Sequence, residues 1–292
     1  MRSRGNTGSK ERNATSSQTF NKKRNGRPGT NRLFVVGIGP GSLDHLSKRA
    51  VDVLSTVEVV VGYSTYVELI HPLVDGKEII RTGMTREVER VEAAIEHALD
   101  GKLCAIVSSG DPGIYAMAGL VFETCKIKDI SVASRGSNHA TPGDPEALIV
   151  EVVPGIPALC AGASLLGAPL SHDFAAISLS DLLTPWELIE QRIEAAARAD
   201  FVIVLYNPKS KKRTWQLKKA QKILLKYRDK RTPVGIVARA MREQQDVHVV
   251  SLENLHTAVV DMQTTVFIGS SASSRYREFM VTPRGYSKKY EI

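Results

Sequence analysis

From residue 33 onward, apolar residues fall into short runs separated by amphipathic stretches, and almost none occur before it. Leu33 to Val36 is the first run and stops at Gly37-Ile38-Gly39-Pro40-Gly41. A short apolar run closed by glycines reads as a buried strand. A helix is predicted from about Asp44 to Ser55, with Ser42 as its N-cap. Val57 to Val61 reads as a second strand, with Glu58 intruding. Between Glu87 and Leu99 the apolar positions Val88, Val91, Ala94, Ile95 and Ala98 recur at helical spacing. Leu103 to Val107 is a third strand, leading into Ser108-Ser109-Gly110-Asp111-Pro112 and another helix. Strands alternating with helices at this interval predict a parallel sheet covered on both faces.

Residues 131–146 are rich in Ser, Gly, Pro and Asn and read as a surface loop between the apolar runs 130–132 and 148–153. Val153-Pro154-Gly155-Ile156-Pro157 ends the second of those runs, and the small residues from Ala158 to Gly167 predict a tightly packed helix. A second α/β block starts near Phe174. Its strands are expected at 175–179, 201–205, 234–237, 247–250 and 265–268, and its helices near 185–198 and 213–227. The chain thus divides into a tail (1–31), one α/β domain (32–153), a connecting segment (154–173) and a second α/β domain (174–292).

Charge changes the picture of the tail only. Residues 1–32 hold nine Lys/Arg against the single acid Glu11, which accounts for the whole net charge of +8. The body is formally neutral, so nucleic acid is not an expected partner of the fold. A segment so polar and basic is expected to be disordered. Removing residues 1–31 should leave folding and activity intact; a tail-less protein that is unfolded or inactive would contradict this. No apolar run approaches the ~18 residues of a membrane span, and no apolar signal core follows the N-terminus. Cys104, Cys125 and Cys160 have neither disulfide-framework nor CxxC spacing and read as small buried hydrophobes in a reducing, cytoplasmic setting.

The glycine-rich turns carry the candidate chemistry. Gly37 to Gly41 invites a dinucleotide reading, but the sixth position is Ser42 rather than Gly or Ala. The second strand also ends in Val61-Gly62-Tyr63 without the acid that a ribose requires. The second turn places Asp111 as an N-cap with Pro112 at the first helical position. Two such turns at strand ends of one sheet make a crevice at its carboxyl edge, where open α/β sheets bind ligands. Neither contains a GK[ST] signature, so phosphate cradling lacks its lysine. Tyr206-Asn207-Pro208 ends a strong apolar strand. The cluster Lys209 to Arg213 that follows would oppose a helix dipole unless an anion lay nearby.

The series GIGPG, SSGDPGIY, VVPGI, GAPLSHDF, ISLSDLLTPW, LYNP and the terminal TPRGY, in this order, resembles the tetrapyrrole methylase family over residues 33–286. Residues 167–186 and 282–286 resemble in particular the branch that methylates C-17 of a precorrin-3B or cobalt-precorrin-3 type ring in cobalamin synthesis. The resemblance implies two α/β domains with S-adenosylmethionine in the cleft between them, usually in a homodimer. Carried over position by position, it places Pro40, Ser109, Gly110, Asp111, Ile114, Pro157, Ala158, Asn207 and Thr264 beside the cofactor. Pro157 stands where relatives have Thr, Ser171 where they have Gly, and the loop at 131–146 is longer than theirs. No metal, nucleophile or strong base is obligatory for methyl transfer from a sulfonium, and no Ser-His-Asp or metal-ligand pattern is present. Ring contraction, which the resemblance also implies, needs proton transfers, for which His172, Asp173, Ser180 and Asp181 are the candidates. The polycarboxylate substrate should meet basic side chains, with Lys209, Lys211, Arg213 and Arg284 the candidates. A same-fold methyltransferase acting on RNA or protein remains the alternative. A non-enzymatic module would have to explain the Gly-rich strand ends by packing alone.

Overall fold

The structure, a computed structural model, describes residues 31–134 and 146–290. The basic tail, apart from Asn31, and positions 135–145 of the expected loop lie outside the described residues.

The first sheet is built from β1 (Arg32–Gly37), β2 (Val59–Tyr63), β3 (Glu78–Thr82), β4 (Leu103–Ser108), β5 (Val132–Ser134) and β6 (Leu148–Val153), in the order β3-β2-β4-β1-β6-β5. All its pairings are parallel, as expected. Successive side chains on a strand point to opposite faces, so a strand covered on both sides must be apolar throughout. Leu33 and Val35 accordingly pack with Val91, Ala94, Ile95 and Ala98 of α4 (Glu87–Leu99), while Phe34 and Val36 pack on the other face with Ala50, Val53 and Leu54 of α1 (Lys48–Thr56). Val88, counted in the apolar spacing, is instead 53% exposed.

Local capping corrects two predicted helices. Ser42 caps only a short 3-10 turn, accepting from Asp44 N, and Ser47 opens α1 by accepting from Ala50 N. The helix expected to start at Pro112 begins five residues later, as α5 (Met117–Ile127), with no side-chain cap. Asp111 is therefore not an N-cap. Two further short helices, α2 (Ser64–Leu69) and α3 (His71–Val74), and the edge strand β3 have no counterpart in the expected elements.

In the second half, α6 (Ala158–Leu166) is followed by β8 (Phe174–Ser178), α7 (Trp186–Arg198), β9 (Val202–Tyr206), α8 (Gln216–Leu224), β10 (Pro233–Ala238), β11 (Asp246–Ser251) and β12 (Thr264–Ile268). The sheet order is β11-β10-β12-β9-β8, and only β8 and β9 run parallel, so this sheet is mixed. α7 and α8 cover one face, and α6 lies on the other with Leu159 and Leu166 against Val204, Val237 and Phe267. The small residues of α6 permit that approach. A Cβ on Gly162 would sit 2.7 Å from the Phe267 ring. A short ribbon of β7 (Gly167–Ala168), β13 (Ser274–Tyr276) and β14 (Phe279–Val281) and a terminal α9 (Tyr286–Tyr290) complete the described chain. Among the described residues no helix is long and apolar enough to cross a membrane.

Cys104 and Cys125 are buried as expected; Cys160 is exposed, because it faces outward on α6. The body also starts one residue earlier than its first strand suggests. Asn31 Nδ2 donates to Glu146 O, and Ile149 N donates to Asn31 O at 2.8 Å. Each such bond is worth about 1 kcal/mol. Truncation after Thr30 is therefore expected to leave the melting temperature unchanged, whereas truncation after Asn31 should lower it; thermal denaturation of the two shortened chains separates the cases.

Candidate active site

β1 and β4 end in register at Gly37 and Ser108, so their turns emerge side by side. The turns are then tied together by a two-residue antiparallel bridge: Gly39 N donates to Gly110 O at 3.1 Å and Gly110 N to Gly39 O at 2.7 Å. Both glycines have positive φ, +65° and +68°, a region that costs an L-residue about 1–2 kcal/mol. The turn after β6 presses into the same junction. A Cβ on Gly155 would lie 2.2 Å from Gly110 O, and one on Gly37 would lie 2.7 Å from both Gly110 O and Gly155 N. Asp111 fastens the arrangement. Its two carboxylate oxygens accept from Gly113 N at 2.8 Å and from Gly155 N at 3.1 Å. Packing thus fully accounts for Gly37 and Gly155.

Packing alone does not account for Gly110. An added Cβ there would make only ordinary van der Waals contacts, with Pro157 Cα at 3.5 Å, Ala158 N at 3.7 Å and Ile156 O at 3.9 Å across a narrow slot. That slot belongs to a cavity of about 440 Å³ between the first sheet's strand ends and the second half of the chain. All nine positions expected beside a cofactor lie on its wall: Pro40, Ser109, Gly110, Asp111, Ile114, Pro157, Ala158, Asn207 and Thr264. The size falls within the roughly 300–1,000 Å³ of small-molecule sites.

The far wall is held rigidly. Tyr206 Oη accepts from Leu159 N, one of the free N–H groups in the first turn of α6, at 2.9 Å. Burial first of all pushes the Tyr206 phenol up to about 12, so it stays neutral at ordinary pH. Tyr115 packs on the Tyr206 ring at 5.2 Å and donates to Ala176 O at 2.8 Å, linking the two sheets. Asn207 has φ +52° and donates from Nδ2 to Ser178 Oγ. Thr264 Oγ1 donates to Asp261, which also pairs with Arg239 at 2.8 Å. Burial pushes the Asp261 carboxyl up, but hydrogen bonds from Gln263 N, Thr264 and Arg239 outweigh it and hold the carboxyl below its usual range.

None of the four residues expected to handle protons lines this cavity. His172 and Asp173 are exposed and engage each other, with Asp173 N donating to His172 Nδ1. Ser180 accepts from Arg213, and Asp181 accepts from Gln216 Nε2 at 2.9 Å. The basic candidates also lie elsewhere. Lys209, Lys211 and Arg284 are absent from the lining, and Arg213 is buried with Nε donated to Asn207 O. Because α8 starts at Gln216, Arg213 is not in its first turn, and the argument for an anion there lapses.

The cavity does contain three arginines outside the expected set: Arg239, which pairs with Asp261, and two without a carboxylate partner, Arg90 and Arg242. Arg90 projects from the buried face of α4, one turn before Ala94, and is 4% exposed. A cation on the buried stripe of an amphipathic helix is visible in the sequence, and that spacing was the signal. Arg242 comes from the connection between β10 and β11, a segment without local pattern. Its Nε donates to Pro40 O and its Nη2 to Ser109 Oγ at 2.9 Å. Among the described residues no group of three or more His, Cys, Asp or Glu is placed to hold a metal.

A family model for tetrapyrrole (corrin/porphyrin) methylases matches residues 32–256. The chain is 48% identical over 261 residues to a cobalt-factor III methyltransferase of Priestia megaterium, covering 89% of this chain but 46% of that protein. It is 44% identical over 255 residues to a probable cobalt-factor III C(17)-methyltransferase of Salmonella typhimurium, covering 87% of this chain and 99% of the relative. The crystal structure of the methyltransferase CobJ matches with a TM-score of 0.74 at 34% identity, over 86% of this chain and 99% of that one.

Proposed function

This chain belongs to the tetrapyrrole methylase family, and on that premise we propose that it methylates C-17 of a precorrin-3B or cobalt-precorrin-3 type ring, with ring contraction, in cobalamin synthesis. The observation that carries the reading is the convergence on one cavity of the segments after β1, β2, β3, β4, β6, β9 and β10 and the one before β12. The relatives named for cobalt-factor III methylation agree with it in substrate class.

The cavity suits S-adenosylmethionine. Gly110 leaves a slot that a side chain would fill, while Ile114, Val237 and Met262 supply apolar wall for a nucleoside. Thr264 and Asn207 offer polar groups already fixed by their own hydrogen bonds, so binding orders little that was mobile. Bound there, the cofactor would supply a methyl group on a sulfonium, a donor activated before it arrives. The residues then have to align it with a nucleophilic ring carbon and keep water out, which is where most of the rate arises. The rigid Gly39–Gly110 bridge and the Tyr115–Tyr206 contact serve that alignment by fixing the two walls relative to each other. Pro157 narrows the chemistry of the wall, because it offers neither a hydroxyl nor an N–H.

We read residues 32–153 and 174–292 as two α/β domains joined by 154–173, in a cytoplasmic homodimer. Incubating the protein with S-adenosylmethionine and, separately, metal-free and cobalt-containing ring substrates tests the function. One of them should gain the mass of a methyl group. No gain with either would contradict the reading.

A further inference from the structure

One end of the cavity carries positive charge that the protein does not neutralise. Several other buried or half-buried guanidiniums have carboxylates, and Arg213, which donates to Asn207 O and Ser180 Oγ, lies outside the cavity. Arg228 pairs with Asp200, Arg49 with Glu151 and Arg239 with Asp261. Arg90 donates to Thr82 Oγ1 at 2.7 Å, to Gly83 O at 2.9 Å and weakly to Met117 Sδ at 3.7 Å. Arg242 donates only to Pro40 O and Ser109 Oγ. Neither forms an ion pair among the described residues. A guanidinium has five N–H donors, so Arg242 retains three without an acceptor and Arg90 two.

Leaving cations desolvated and unpaired costs several kcal/mol, and a site that tolerates this is arranged to receive an anion. Burial lowers the pKa of both guanidiniums, yet arginine stays charged at any working pH. The Arg90 guanidinium lies 5.9 Å from the centre of the Tyr63 ring, which stacks edge-on against Tyr66 at 5.2 Å. Two carboxylates line the cavity. Asp111 is committed to Gly113 N and Gly155 N, and Glu87 acts on Arg90 by its charge without bonding to it.

Resting on the methyltransferase reading, we propose that Arg90 and Arg242 form a carboxylate subsite that anchors an acidic arm of the tetrapyrrole beside the methyl donor. Two molecules could bring a carboxylate here, the macrocycle or the amino-acid end of the cofactor. The charge balance selects the first. S-adenosylmethionine carries a sulfonium and an ammonium against one carboxylate and is a net cation, whereas the macrocycle is a polyanion that two guanidiniums attract. Arg242 also ties the two halves of the chain together at Pro40 and Ser109, so the charge that grips the substrate is held in place by the turns that shape the cavity.

The test compares the full chain with Arg242→Gln, Arg242→Lys and Arg90→Gln. Tetrapyrrole KM and kcat are measured, together with S-adenosylhomocysteine affinity by calorimetry and the melting curve. Arg242→Gln should raise the tetrapyrrole KM by about thirtyfold, as loss of one member of a buried charged pair does, while homocysteine-product affinity changes less than about threefold. Arg242→Lys should recover part of the loss. Arg90→Gln, which leaves the cross-chain clamp intact, should show the same split if Arg242→Gln fails to fold. An unchanged tetrapyrrole KM in both Gln variants overturns the proposal. So does a loss of S-adenosylhomocysteine affinity that matches the loss for the ring, since the carboxylate would then be the cofactor's. If the unaltered protein methylates no tetrapyrrole, the functional reading itself fails and takes this subsite with it.

Discussion

Gly155→Ala is expected to destabilise the protein by about 3 kcal/mol, the upper end of what overpacking costs. The added methyl would lie 2.2 Å from Gly110 O and 2.9 Å from Gly37 C and O. Every one of these atoms is backbone, so no side chain can rotate aside. Relief would require parting three strand ends and stretching the bond from Gly155 N to Asp111. For a chain of this length the melting temperature should fall by roughly 6–12 °C. Gly119→Ala is the control, because a Cβ there meets nothing within 4 Å on the helix α5. It should be neutral or stabilise by up to ~1 kcal/mol. Equal melting temperatures for Gly155→Ala and the unaltered protein would contradict the account of the junction.

Gly110→Val is expected to weaken S-adenosylmethionine binding by at least about tenfold, roughly 1.4 kcal/mol. Its branched side chain would enter the slot between Gly110 and Pro157, where there is room for a Cβ but little beyond it. Holding φ at +68° adds about 1–2 kcal/mol of strain, so a lower melting temperature accompanies the lost affinity. Asp111→Ala separates the two effects. It leaves the slot open but frees Gly113 N and Gly155 N, a loss of about 1–3 kcal/mol for groups deprived of their acceptor. Its stability should therefore drop with a smaller change in affinity. If both variants melt lower and bind the cofactor normally, the turn serves packing alone.

Much of this junction was legible in the chain, but its logic was not. Apolar runs closed by glycine located β1, β4 and β6, and their parallel order placed the turns at one edge. The spacing from Val91 to Ala98 located α4 at its observed bounds. What the local pattern could not reveal is distance. That Gly37 and Gly155 exist for each other, 118 positions apart in the chain, is a property of packed backbones rather than of either turn. Asp111 misled for the same reason. Asp-Pro is a good helix start in isolation, but here the carboxylate is spent on Gly155, and the chain makes another turn before α5 begins. Arg242 lies in an irregular connection, so only the folded chain brings it to Pro40 and Ser109. The second sheet is mixed because β10 turns back into β11 as an antiparallel neighbour and β12 pairs antiparallel with both β10 and β9.

The central claim is that this cavity delivers a methyl group to carbon of a tetrapyrrole. Turnover with S-adenosylmethionine carrying an isotopically labelled methyl group, followed by magnetic resonance of the isolated product, tests it most directly. The account predicts one labelled methyl per product ring, bonded to C-17, and slower labelling by Gly110→Val at cofactor concentrations that just saturate the unaltered protein. Label on a ring nitrogen or a side-chain carboxylate, or on RNA or protein added in place of the ring, would contradict it.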